Sequence, residues 1–90
     1  MKRPRAALAP SQIRAARALL RWTAVDLAGA SAVGVATIRR AELADQETSM
    51  TAPNDTAVRL ALEAAGVEFI DHNGAGQGVR FAQRRHKKPR

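Results

Sequence analysis

The chain has ninety residues, a net charge of +7, no cysteine, one Trp, two Phe and no Tyr, and its apolar content is largely alanine. Alanine lets helices approach closely but buries little area, which excludes a deep aromatic-lined ligand pocket; the missing thiols exclude disulfides, thiolate metal sites and cysteine nucleophiles. No apolar run approaches the roughly 20 residues that span a bilayer, and Arg14, Arg17 and Arg21 interrupt any signal-peptide core, so a cytoplasmic protein without membrane contact is expected.

The charge is unevenly spread. Lys2, Arg3, Arg5, Arg14, Arg17 and Arg21 precede the first acid, Asp26; Arg84, Arg85, Lys87, Lys88 and Arg90 follow the last, Asp71, as does Arg80. Cationic ends around a mildly acidic middle suit a polyanion gripped by terminal arms, although basic tails also serve solubility alone.

Residues 1–9 read as a flexible basic arm. Pro10 and Ser11 mark a helix start with Ser11 as cap, and Ile13, Ala16, Leu19 and Leu20 recur at helical spacing to about Arg21. Thr23 caps a second helix, with Asp26 completing an approximate capping box, and that helix runs to Ser31 or Ala32. A turn at 32–34 leads into a third helix over roughly Val35 to Ala44. Residues 45–53 are polar and end in a proline, so they read as a loop. Asn54, Asp55 and Thr56 offer caps for a fourth helix carried by Val58, Ala61, Leu62 and Ala65, and Gly66 stops it.

The period then changes. Val67–Ile70 and Val79–Phe81 are strand-like around a turn at 73–78. Such a two-stranded hairpin (67–82) is marginal alone and must pack Val67, Phe69, Val79 or Phe81 on the helices, or pair across a dimer. Residues 83–90 lack apolar periodicity and read as a disordered basic tail. The expected fold is all-α, four short helices with a central helix-turn-helix, plus a short C-terminal β-hairpin, in one domain over 10–82.

In the central pair, Leu27, Ala28, Val33 and Ile38 sit where two crossing helices touch, with Leu20 and Trp22 filling core beside them. Val35, Ala36, Thr37, Arg39 and Arg40 lie on the outer side of the third helix, the layout that enters the major groove of double-stranded DNA. Val35 and Ala36 cannot hydrogen-bond a base edge; they touch thymine methyls or form an ordinary exposed helix start. Thr37 gives its hydroxyl to a phosphate or back to its own helix. Arg39 and Arg40 alone can read guanine O6 and N7, and phosphate is the commoner destination of a basic side chain. Further phosphate contacts are expected from Thr23, Lys2, Arg3, Arg5, Arg84, Arg85, Lys87 and Lys88.

Arg17, Trp22-Thr23, Asp26-Leu27-Ala28, Val33, Thr37, Ile38, Arg40 and Glu42 resemble the XRE-type helix-turn-helix family of bacterial and phage repressors. The segment 56–82, with its Gly-rich loop and Gly78-Val79-Arg80-Phe81, looks like a compact bacterial subgroup with a short C-terminal hairpin. The resemblance implies a lambda-repressor-like architecture and a transcriptional regulator, a repressor, acting as a dimer on a partly palindromic site. It also implies that Arg40 faces DNA and that Arg17 and Glu42 form a structural pair between the first and third helices. The chain departs from the family at Ala32, where a turn glycine is usual, at Gly34 in place of a Ser/Thr cap, and at Ala24 in place of a phosphate-gripping glutamine. Ala32 in a left-handed conformation costs on the order of 1 kcal/mol, and Gly29 inside a helix roughly another 1 kcal/mol.

Catalysis and cofactors are not expected. Asp71-His72 provides too few ligands for a metal, the Gly74–Gly78 run precedes a strand and not a helix, and no nucleophile-base constellation is evident. Two rival readings remain: an antitoxin-like protein-interaction module whose hairpin adds to a partner chain, and a sequence-tolerant nucleic-acid binder driven by its tails.

Overall fold

Three of the four helices start where a side chain or a proline removes the cost of unpaired amides. The computed structural model describes residues 7–71 and 74–82. It contains α1 (Pro10–Leu20), α2 (Ala24–Ser31), α3 (Val35–Leu43) and α4 (Ala52–Ala64), followed by an antiparallel hairpin of β1 (Val67–Ile70) and β2 (Gly78–Phe81). The expected four helices and hairpin are therefore present.

The start of α1 differs from expectation. Ala9, not Ser11, is the N-cap, Pro10 occupies the first turn, and the Gln12 side chain accepts the Ala9 N–H at 3.0 Å. Buried Gln12 also donates to the carbonyls of Ile70 and Gly78 at 3.3 and 3.1 Å, which ties α1 to the hairpin. The helix ends because Arg21 turns left-handed, with φ 59°.

The expected arm over 1–9 does not hold for its last residues. Residues 1–6 lie outside the described residues, but Leu8 is only 2% exposed and Ala9 is buried. Asp55 accepts the Leu8 N–H at 3.0 Å, so this segment is sewn to α4.

The α2 start follows the expected box: the Thr23 hydroxyl accepts the Asp26 N–H at 3.0 Å and the Asp26 carboxylate accepts the Thr23 N–H at 2.8 Å. In α4 the cap moves to Thr51, which accepts the Asn54 N–H at 3.2 Å. Pro53 then belongs to the first turn, where its missing N–H does no harm, and Asn54, Asp55 and Thr56 lie within the helix. Gly66 takes φ 110° beyond the end of α4, a conformation that turns the chain into β1.

Every element feeds one core of Leu8, Ile13, Ala16, Leu27, Val33, Ile38, Ala41, Val58, Leu62 and Val67, except β2, whose Val79 packs at its edge. Leu20 and Trp22 are partly buried against it, as expected. The register pairs Val67 with Phe81 and Phe69 with Val79 on one face of the hairpin, and Glu68 with Arg80 on the other. That outer pair forms an exposed ion pair at 3.0 Å, and the hydrogen bond from Arg80 holds the Glu68 carboxyl below its usual range. The guanidinium of buried Arg59 lies 5.2 Å from the Phe69 ring centroid, a cation–π contact between α4 and β1.

Two backbone mismatches in the central pair make a stability prediction. Ala32 does adopt the left-handed conformation, φ 61°, while Gly29 sits exposed in α2 with nothing within 4 Å of where a Cβ would lie. The exchange Gly29→Ala with Ala32→Gly is expected to stabilise the domain by about 1–2 kcal/mol. The measurement is a rise in the urea midpoint at unchanged slope; a lower midpoint would contradict the account.

Candidate nucleic-acid interface

The connection between α2 and α3 is held by Ser31, a residue that helical spacing alone does not mark. The Ser31 hydroxyl donates to the Leu27 carbonyl at 2.8 Å and accepts the Val33 N–H at 3.2 Å. It therefore braces the turn through which Ala32 passes in its unfavourable conformation, and buried Val33 anchors the same turn in the core. Gly34 caps α3 through its backbone alone, with no side-chain bond.

Helix α3 buries Ile38, Ala41 and Glu42. At 100° per residue, Ala36, Arg40 and Leu43 fall on the line opposite them, and all three are exposed. Val35 and Thr37 are half-buried on the two flanks, and Arg39 is exposed on the flank nearer α1. Of the residues expected to meet bases, Ala36 and Arg40 thus share the outermost ridge, whereas Val35 stands off it. Leu43, 84% exposed, completes the ridge and is not among the residues expected to meet DNA. A leucine at a helix end ordinarily reads as core, and only its spacing of seven from Ala36 hints otherwise.

The back of α3 is clamped to α1. Arg17 meets Glu42 through two parallel bonds, Nε to Oε2 and Nη2 to Oε1, each 2.7 Å, and its Nη1 donates to the Trp22 carbonyl at 2.8 Å. This fork geometry is the strong form of an ion pair, and it connects α1, the entrance to α2 and α3 in one contact. The hydrogen bonds that Arg17 donates to Glu42 raise its guanidinium above its usual value against the opposing effect of burial. Arg14 donates to the Glu42 backbone carbonyl, a second tie to the end of α3. The expected Arg17–Glu42 pair is therefore formed.

Beside the clamp, Arg14, Arg17, Ala24, Arg39, Glu42 and Leu43 line an open groove of about 290 Å³. Arg17 and Arg14 are occupied by Glu42, whereas neither Arg39 nor Arg40 bonds to any described residue. Thr23 is exposed at the mouth of α2; its hydroxyl oxygen accepts from Asp26 and keeps its own proton to donate. Lys2, Arg3, Arg5, Arg84, Arg85, Lys87 and Lys88 lie outside the described residues, as do His72 and His86. Among the described residues no three His, Asp or Glu side chains gather as metal ligands, and no helix is long and apolar enough to cross a membrane.

No protein-family model, no curated protein and no solved structure matches this chain.

Proposed function

We propose that the protein is a sequence-specific transcriptional regulator of the XRE helix-turn-helix type, a repressor, with the lambda-repressor-like arrangement of its helices. It lays α3 in the major groove of double-stranded DNA and acts in the cytoplasm on the nucleoid. The observation that carries this reading is the two-sidedness of α3. Its inner side is locked by Ile38, Ala41 and the bidentate Arg17–Glu42 pair, and its outer side presents Ala36 with the uncommitted cations Arg39 and Arg40. A protein that reads base edges needs such a helix held rigidly and left bare.

The roles follow from chemistry. Arg40, on the ridge, reads guanine; Arg39, on the flank, meets phosphate, with Thr23 and Thr37 donating hydroxyls and the basic ends adding phosphate contacts. The protein works as a homodimer through its hairpin, where Phe81 is 56% exposed on the same face as buried Val67 and can bury against a second copy.

Selection from a random duplex pool at physiological salt tests the whole reading. The expected product is a partial palindrome with half-sites one helical turn, roughly 34–36 Å, apart. Failure to enrich any sequence would overturn specific recognition in favour of binding by the tails or of a protein partner.

A further inference from the structure

We infer that the outer ridge of α3 reads a guanine flanked by 5-methylpyrimidines, so that affinity for the site depends on the C5-methyl groups of thymine or 5-methylcytosine. This rests on the duplex-DNA reading above. The ridge is Ala36, Arg40 and Leu43, spaced i, i+4 and i+7, all exposed and all opposite the buried Ile38–Ala41 side. At about 1.5 Å per residue it is roughly 10.5 Å long, close to three base-pair steps of about 3.4 Å each.

The ridge has an unusual chemistry for a reading surface. Arg40 brings the only hydrogen-bonding groups, all of them donors, and the O6 and N7 acceptors of guanine match them bidentately. Ala36 and Leu43 bring only methyl and methylene groups to either side. The one apolar feature on a major-groove base edge is the C5-methyl group. Unmethylated cytosine instead offers an N4 donor, and the ridge has no acceptor for it. The one carboxylate of α3, Glu42, is buried and holds Arg17 through both oxygens. Leu43, at 84% exposure, contributes nothing to the core, and a methyl contact explains why an apolar side chain stands there. Thymine and 5-methylcytosine differ at the exocyclic group that Ala36 and Leu43 cannot engage, so the ridge accepts either.

The test uses the full chain and the duplex enriched by selection, with binding followed by fluorescence anisotropy. The enriched site is expected to carry guanine with a neighbouring thymine. Replacing each flanking thymine by deoxyuridine, which removes only the methyl, is expected to weaken binding about three- to fivefold per methyl. A 5-methylcytosine·guanine pair at the same position is expected to bind tighter than cytosine·guanine by a similar factor, which separates the two sources of the methyl group. Leu43→Ala, a change at an exposed site, is expected to abolish the uracil penalty at one flank and leave the other. Specific binding that ignores the thymine-to-uracil change would overturn the methyl reading while leaving DNA recognition intact, and so would a penalty that both Leu43→Ala and Ala36→Ser leave unaltered. A pool that enriches nothing would overturn the DNA reading itself.

Discussion

Arg17→Ala is expected to destabilise the domain by about 3 kcal/mol, the lower end of the range for breaking a buried pair by removing one partner. The lower end applies because the Arg17 side chain keeps 24% of its exposure, whereas the Glu42 side chain keeps only 9%. Without Arg17 the Glu42 carboxylate is left buried with two unsatisfied oxygens, and the Trp22 carbonyl loses its donor. Arg14 does not rescue it, since it bonds the Glu42 backbone oxygen and not the carboxylate. Domains this small sit near the bottom of the usual range of about 5–15 kcal/mol, so about 2 kcal/mol would remain and the unfolded population is expected to rise about a hundredfold, to a few per cent.

The ordering of variants is diagnostic. Arg17→Lys keeps the charge but loses the fork, so an intermediate loss is expected. Replacing both partners with apolar residues of similar volume, Arg17→Met with Glu42→Leu, is expected to recover much of the stability, because no charge is then left buried alone. Urea unfolding followed by circular dichroism reads all three. A loss below about 1 kcal/mol for Arg17→Ala, the size of a surface pair, would show that the contact does not clamp α3.

Local chemistry explains what the sequence reveals and what it conceals. The central helices are readable because the Thr23–Asp26 box and the spacing of Leu27, Val33 and Ile38 are all settled within a few residues of chain. The hairpin is readable because period and turn residues change together after Gly66. The features that escaped are those whose partners lie far away. Leu8 looks like part of an unstructured arm until Asp55, 47 residues later, accepts its amide. Gln12 looks like a solvated helix residue, yet it reaches the hairpin 58 and 66 residues on. The α4 start was displaced for a different reason: Pro53 fits a loop end and a first helical turn equally well, and the Thr51 cap decides between them. On α3, Arg39 and Arg40 are visible as charges from the sequence alone, but their division into flank and ridge follows from which side of the helix is buried. Leu43 is the converse case, an apolar residue whose place on the outer ridge shows only once its exposure is known.

That division separates binding by the helix from binding by the tails. Reversing both charges, Arg39→Glu with Arg40→Glu, is expected to lower affinity for the selected duplex by about a hundredfold or more, from a lost base contact and a lost phosphate contact together. The single changes come apart. Arg40→Ala is expected to cost about 1–3 kcal/mol of binding and to erase the preference for guanine at one position. Arg39→Ala is expected to weaken all sequences alike and to reduce the slope of log K against log salt by about 0.9. Neither side chain bonds a described residue and both are exposed, so stability should stay within about 0.5 kcal/mol of the parent, and loss of binding will not be loss of fold. Deleting residues 83–90 is expected to lower affinity and salt slope without altering the selected sequence. If the tail deletion removes nearly all binding and the helix reversal almost none, the protein holds nucleic acid by its ends, and the rigid presentation of α3 serves a protein partner instead.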